Sequence, residues 1–411
     1  MPPKNSPGAP LNSALLALTA SALAIPGLSA QAQGLAGDAM PPAQHDNTLL
    51  DFRSSYYDEG HIPGGKTSNG QSSERYDVES QQFRAATRLG PQADLTADVT
   101  VETMSGASPW FIIPNSKGAP VQVMSGASIH DFRQALQLRA NQRFGAVTGS
   151  VLGGFSNERD YRGANGGLEG SWDLNNKLTT LSGGAGYTHD EVDPTEGQSV
   201  RFPTRIAHAN NYEVNGYAGL AQVLGGETVL QSSVSFTYQN GYLSDPYKLV
   251  YVAGNTVDDA RPGNRRELAW ITRLRQNVAA LDAVVHLDYR YYHDDWGITA
   301  HTAELAWYQT LPRSWALVPR VRWYSQSAAD FYQPYYNAAQ NNGLYSSDYR
   351  LSPFGALSES LSVYKRFGSW NLSLRYEHYS SGSAYSIRSI EVENPALVNF
   401  QVFSAGIAKT F

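Results

Sequence analysis

Leu281-Asp-Ala-Val-Val-His-Leu-Asp-Tyr-Arg-Tyr-Tyr292 sorts into two faces only when every second residue is grouped. Leu281, Ala283, Val285, Leu287, Tyr289 and Tyr291 form an apolar set. Asp282, Val284, His286, Asp288, Arg290 and Tyr292 form a set dominated by ionisable groups. A helical period would mix the two. An extended strand with one greasy and one charged face suits a wall that meets lipid outside and water inside. Soluble antiparallel sheets alternate as well, so the surrounding sequence has to decide.

It repeats the pattern. Phe132, Leu136, Leu138 and Phe144 oppose Asp131, Arg133, Arg139 and Arg143; Trp315, Leu317, Val321 and Trp323 oppose Arg320 and Arg322; Trp370, Leu372, Leu374 and Tyr376 oppose Arg375 and Glu377. Aromatics stand near the ends of the apolar faces, where interfacial girdles lie. The spacing predicts about sixteen strands, from 48–58 through 281–295 and 348–366 to 397–411, with fourteen or eighteen as the bounds. Tight connections near Gly145, Asn175-Asn176 and Gly368 alternate with long ones such as 106–129, 244–263 and 329–347. That is the short-turn, long-loop alternation of a transmembrane antiparallel β-barrel.

The last strand carries Phe403, Ile407 and the terminal Phe411 on one face. A barrel has reason to end so, because an unpaired edge is intolerable in lipid. The ending resembles the carboxy-terminal signal of bacterial outer-membrane barrels, which their assembly machinery recognises. Lys409 departs from it, standing where many such signals carry an aromatic.

Composition agrees. Of 411 residues only 17% are charged, while Gly (37), Tyr (25) and Trp (8) are abundant. There is no Cys, which excludes disulfides and thiol chemistry. A net charge of -6 without basic runs argues against nucleic acid as a partner. Lys4, the apolar run Leu11 to Ile25 and the small-x-small site Ala30-Gln-Ala32 predict a signal peptide over 1–32. Residues 33–47 are an aperiodic lead-in, and the barrel is expected over 48–411. The address expected is the outer membrane of a Gram-negative bacterium, with its lipid as one partner.

Several longer motifs are distinctive: Met124-Ser-Gly-Ala-Ser-Ile-His-Asp131, Gly241-Tyr-Leu-Ser-Asp-Pro-Tyr-Lys248, Tyr291-Tyr-His-Asp-Asp-Trp-Gly-Ile298, Tyr324-Ser-Gln-Ser-Ala-Ala-Asp-Phe-Tyr332 and Asp348-Tyr-Arg-Leu-Ser352. From about Tyr76 to Phe411 the chain resembles the proteobacterial family known as domain of unknown function 3570. The resemblance implies an exported envelope protein and assigns neither activity nor site residues. It also implies envelope redox partners, through association with a thioredoxin-like lipoprotein and a flavin-attaching enzyme.

Three sets of residues could carry function. Asp282, His286, Asp288, Arg290, Glu304, Arg320 and Arg322 are expected to face the lumen, as an ion-selecting lining or a ladder of ion pairs bracing the wall. Asp245, His293, Asp294, Asp295 and Asp330, with Asp348, are expected near one outer rim. There they could bind a divalent cation or simply bond turn backbone. No cofactor is expected. His293, His301 and Ser325 or Ser327 would be needed for a hydrolase, but no nucleophile-elbow pattern accompanies them, and a non-enzyme is expected. The echo of Met104-Ser-Gly-Ala-Ser108 in Met124-Ser-Gly-Ala-Ser128 brackets a loop that could fold into or over the pore. The function expected is a pore or transport component, or else a non-conducting scaffold or receptor with an acidic rim.

Overall fold

The structure, a computed structural model, describes residues 48–107, 109–124 and 129–411. The expected leader and lead-in lie outside the described residues, as does most of the second copy of the Met-Ser-Gly-Ala-Ser echo.

Sixteen strands form one closed barrel. In chain order they are β1 (Leu49–Asp58), β2 (Tyr76–Arg88), β3 (Ala93–Gly106), β4 (Ile129–Phe144), β5 (Val147–Asn157), β6 (Tyr161–Leu174), β7 (Thr179–Val192) and β8 (Ala209–Val223). Then follow β9 (Thr228–Gly241), β10 (Asn264–Val278), β11 (Ala283–Asp294), β12 (Thr299–Leu311), β13 (Trp315–Gln326), β14 (Phe354–Phe367), β15 (Trp370–Gly382) and β16 (Phe400–Thr410). Each pairs antiparallel with the next, and β16 closes on β1 in unbroken register from Leu49 opposite Thr410 to Asp58 opposite Gln401. Phe403 lies opposite Tyr56 and Ile407 opposite Phe52, and the Phe411 amide donates to the Thr48 carbonyl at 2.9 Å. No strand edge is left for lipid to meet.

The period-two pattern becomes inside and outside. Phe83, Leu136, Phe155, Leu168, Phe236, Leu305, Leu374 and Phe403 are exposed on the outer wall, the reverse of a soluble core. Phe144, Trp172, Trp315, Phe367, Trp370 and Phe411 are exposed beside the short turns and make one interfacial girdle. The ammonium of Lys409 sits 4.9 Å from the Trp370 ring centre and 4.3 Å from that of Phe411. A cation there is held by two aromatic faces, which accommodates the departure from an all-aromatic ending.

The short turns use left-handed residues: Gly145 and Gly368 have φ of 64° and 57°, and Asn176 has φ of 55°. Asp282 belongs with these. Ala279–Leu281 is a 3-10 turn and Asp282 follows at φ 49°, so β11 begins only at Ala283. Asp282 is therefore an exposed turn residue, not a lumen-facing one. The alternation that placed it inside holds only while the backbone stays extended. Likewise β14 starts at Phe354, because Asp348 caps a 3-10 turn over Tyr349–Leu351 by accepting the Arg350 amide.

At the other end the long loops build a roof with cores of its own. Trp296, Ile298, Ala329, Phe331 and Leu351 bury one another, as do Val250, Val252 and Tyr336. The 106–129 loop contains a hairpin of Pro109–Pro114 and Pro120–Met124. It is fastened to neighbouring loops: the Ser68 amide donates to Gln122 O at 2.7 Å, and the Tyr335 hydroxyl to Gly118 O at 2.7 Å. Lys248 Nζ donates to Pro109 O at 3.4 Å. The hairpin is part of the roof.

Candidate functional site: the charged lumen and its roof

Inward-facing residues line up across neighbouring strands because antiparallel register puts them opposite one another. Asp288 lies opposite Glu304, and Glu304 opposite Arg322. Arg273 faces Asp288 from the other side, and Arg290, Thr302 and Tyr324 form the next row. Six of the seven residues expected to line the lumen are thus brought together on β11 to β13. The sequence reading had not singled out Arg265, Glu267, Arg273 and Arg275 on β10. Their alternation with Leu268, Trp270, Thr272 and Leu274 carries the same signal.

Most of these charges are partnered. Arg275 makes a close two-pronged pair with Asp288, with Nη2 at 3.0 Å from Oδ2. Arg320 meets Glu304 at 3.2 Å, Arg265 meets Asp294 at 2.5 Å and Arg375 meets Glu377 at 2.8 Å. On the far wall Arg139 pairs with Glu169 and Arg133 with Glu102. This is the bracing ladder. Part of the charge stays accessible: 29% of each of the Asp288 and Arg139 side chains is open, and Arg322 is exposed.

The rim carboxylates do not converge on one another. Asp294 is almost wholly buried; one oxygen accepts from Arg265 and the other from the amides of Trp296 and Ile298. Asp295 accepts the Arg266 amide, and the Asp330 carboxylate occupies the space beside Gly297. Asp245 accepts from the Tyr247 amide and from Arg350. Asp348 is the centre of a knot, receiving Arg350 and Arg261, while Arg261 also donates to Asp259 at 2.6 Å. Burial would raise the Asp348 carboxyl, but Arg350, Lys248 and Arg261 outweigh it and hold it well below the usual range. Asp259 is pushed up, because burial there outweighs Arg261. Arginine side chains thus occupy Asp245, Asp294 and Asp348, three of the acids a rim cation would have drawn on.

Among the described residues one set of three ligand atoms does converge: Asp131, Glu158 and Asp160, all within 4.8 Å of one another. They stand by a cleft of about 670 Å³ whose lining includes Tyr56, Asp77, Glu79 and Phe132. Burial and then the Asp131 carboxylate push Glu158 up to about 7, against Arg133 at 3.4 Å. The Tyr247 hydroxyl donates to Asp160. Sequence reading missed the trio because Asp131 tops β4 while the other two sit in the β5–β6 turn.

The hydrolase candidates stay apart. His301 is bound to the Tyr289 hydroxyl at 2.7 Å, and His293 to Thr299 Oγ1 at 3.2 Å. Ser325 lies opposite His301 in register, yet its hydroxyl accepts the Ile387 amide; that of Ser327 donates to Gly297 O. No nucleophile–base pair forms among these four.

The family described as "Protein of unknown function (DUF3570)" matches residues 15–390. Among the curated proteins none matches. Solved structures similar to the chain include the siderophore receptor PirA from Pseudomonas aeruginosa, at 11% identity and a TM-score of 0.41, over 81% of this chain and 56% of that one. A bacterial polysaccharide outer membrane secretin is similar at 9% identity and 0.47, over 90% and 100%. OmpT of Vibrio cholerae is similar at 8% identity and 0.45, over 89% and 97%. This chain spans little more than half of the siderophore receptor's length. At these identities and scores the likenesses carry no argument about function.

Proposed function

The chain belongs to the DUF3570 family, and we propose that it is an outer-membrane barrel passing small solutes through a water-filled, charged lumen beneath a roof of folded loops. One observation carries the reading: inward-facing charges on opposite walls keep part of their surface open to water. A sixteen-stranded wall is wide enough for an aqueous lumen. A scaffold with a filled interior would bury these groups. The exposed apolar wall supports membrane lipid as a partner, and the closing strand with its aromatic Phe403 and Phe411 supports recognition by barrel-assembly machinery. Planar-bilayer recording of the refolded chain tests the reading: stepwise conductance is expected, and a barrel silent at all voltages would sink it.

The roof, with its own buried cores, favours a second reading, a non-conducting scaffold or receptor. Deleting residues 109–122 separates the two. Conductance that appears only on deletion identifies a scaffold plugged by this loop, whereas a parent that already conducts supports the pore. Continued silence identifies a filled lumen.

A further inference from the structure

We propose that Arg290 and Arg322 form a luminal binding site for a small oxyanion, a carboxylate or a phosphate. The two face inward from β11 and β13 with β12 between them. Arg322 stands one inward row from Arg290, opposite Glu304 rather than Thr302, so two strand spacings and one two-residue step put their backbones about 12 Å apart, within the combined reach of two long guanidinium side chains.

Their neighbours on the same wall are committed. Arg265 is held by Asp294, Arg275 by Asp288 and Arg320 by Glu304. Arg290 and Arg322 make no ion pair among the described residues. Arg290 has the Tyr292 ring at 5.2 Å, and Arg322 is exposed to the lumen. Both are permanent cations on the same stretch of wall, so they repel one another. A wall that needed only bracing would pair such charges or omit them, as it does elsewhere. The β10 to β13 sector carries six inward arginines, at 265, 273, 275, 290, 320 and 322, against four inward carboxylates, at 267, 288, 294 and 304. An anion bridging the two free guanidiniums would relieve their repulsion and engage planar forks suited to carboxylate and phosphate oxygens.

The site rests on the proposed open lumen, but its binding can be read without any conduction. The full chain, folded in detergent, would be titrated with inorganic phosphate at fixed chloride and followed calorimetrically. Saturable binding is expected, weakened about tenfold by Arg290→Gln or Arg322→Gln and lost in the double variant, because each removes a charge-assisted hydrogen-bonding fork. Arg322→Lys, which keeps the charge and the fold, should also weaken it. A heat-dependent mobility shift checks that each barrel is closed. Binding that survives the double variant, or screening by phosphate no stronger than by chloride, would overturn the site. A silent barrel that still binds phosphate would sink the pore reading and leave the site standing; a conducting barrel that does not bind it would do the reverse.

Discussion

Replacing Asp348 with Asn removes one negative charge and almost no volume from the middle of the roof. The wild-type carboxylate is 1% exposed and receives Arg350 and Arg261, the latter itself only 9% exposed at its side chain. Removing one partner of a buried ion pair costs about 3–5 kcal/mol, because the other charge stays buried. Asp259 still faces Arg261 and Asp245 still faces Arg350, so the lower end applies. At 1.4 kcal/mol per tenfold, about 3 kcal/mol raises the open fraction of the roof by roughly two orders of magnitude. Protease nicking of the 329–353 loop in proteoliposomes would read that fraction, under conditions where closing outpaces cleavage. The wall's hydrogen-bond ladder is untouched, so heat-modifiable mobility should persist. The pH dependence has a definite sign. A carboxyl held below its ordinary value of 3.8 stabilises the fold above that pH, and loses the contribution as pH falls through its depressed value. The parent roof should therefore loosen only below pH 3.8, while the variant is loose throughout. Nicking within twofold of the parent at neutral pH would show that Asp348 does not fasten the loops.

Two further outcomes follow from the wall and its upper edge. Glu158 is raised from an ordinary 4.5 to about 7, so its contribution is fully present below pH 4.5 and lost as pH rises through 7. Glu158→Gln should flatten that fall, as seen in thermal midpoints at pH 5 and pH 8; an unchanged pH slope would remove Glu158 as its source. Leu374 is 62% exposed on the outward face of β15, four residues above Trp370. Leu374→Arg should cost about 2–4 kcal/mol in denaturant titrations of vesicle-inserted protein, and a negligible cost would mean that this face does not meet lipid.

The strand plan could be read almost residue by residue, because alternation is local: each wall residue announces its side through its immediate neighbours. Trp315 to Gln326 is one example, with Trp315 and Val321 outward and Arg320 and Arg322 inward. Reading failed where the backbone left the extended region. Asp282 keeps the parity of its neighbours in sequence but loses it in space, because a left-handed turn residue ends the alternation. The rim carboxylates illustrate another limit. Their clustering near one end of the barrel followed from loop lengths, but their partners did not: Arg350 lies two residues from Asp348 and 105 from Asp245.

The sequence by itself determined the wall, its closure and which face of each strand meets lipid, since a period of two and an apolar solvent leave one arrangement. The tertiary structure alone decided which luminal charges are spent on one another and which stay free. It also decided that the long loops join into a roof. Those outcomes depend on strand register and on contacts between distant segments, such as Arg75 donating to Ala396 O across 321 residues. No local pattern encodes them, because the free energy that fixes each pair comes from a neighbour supplied by another part of the chain.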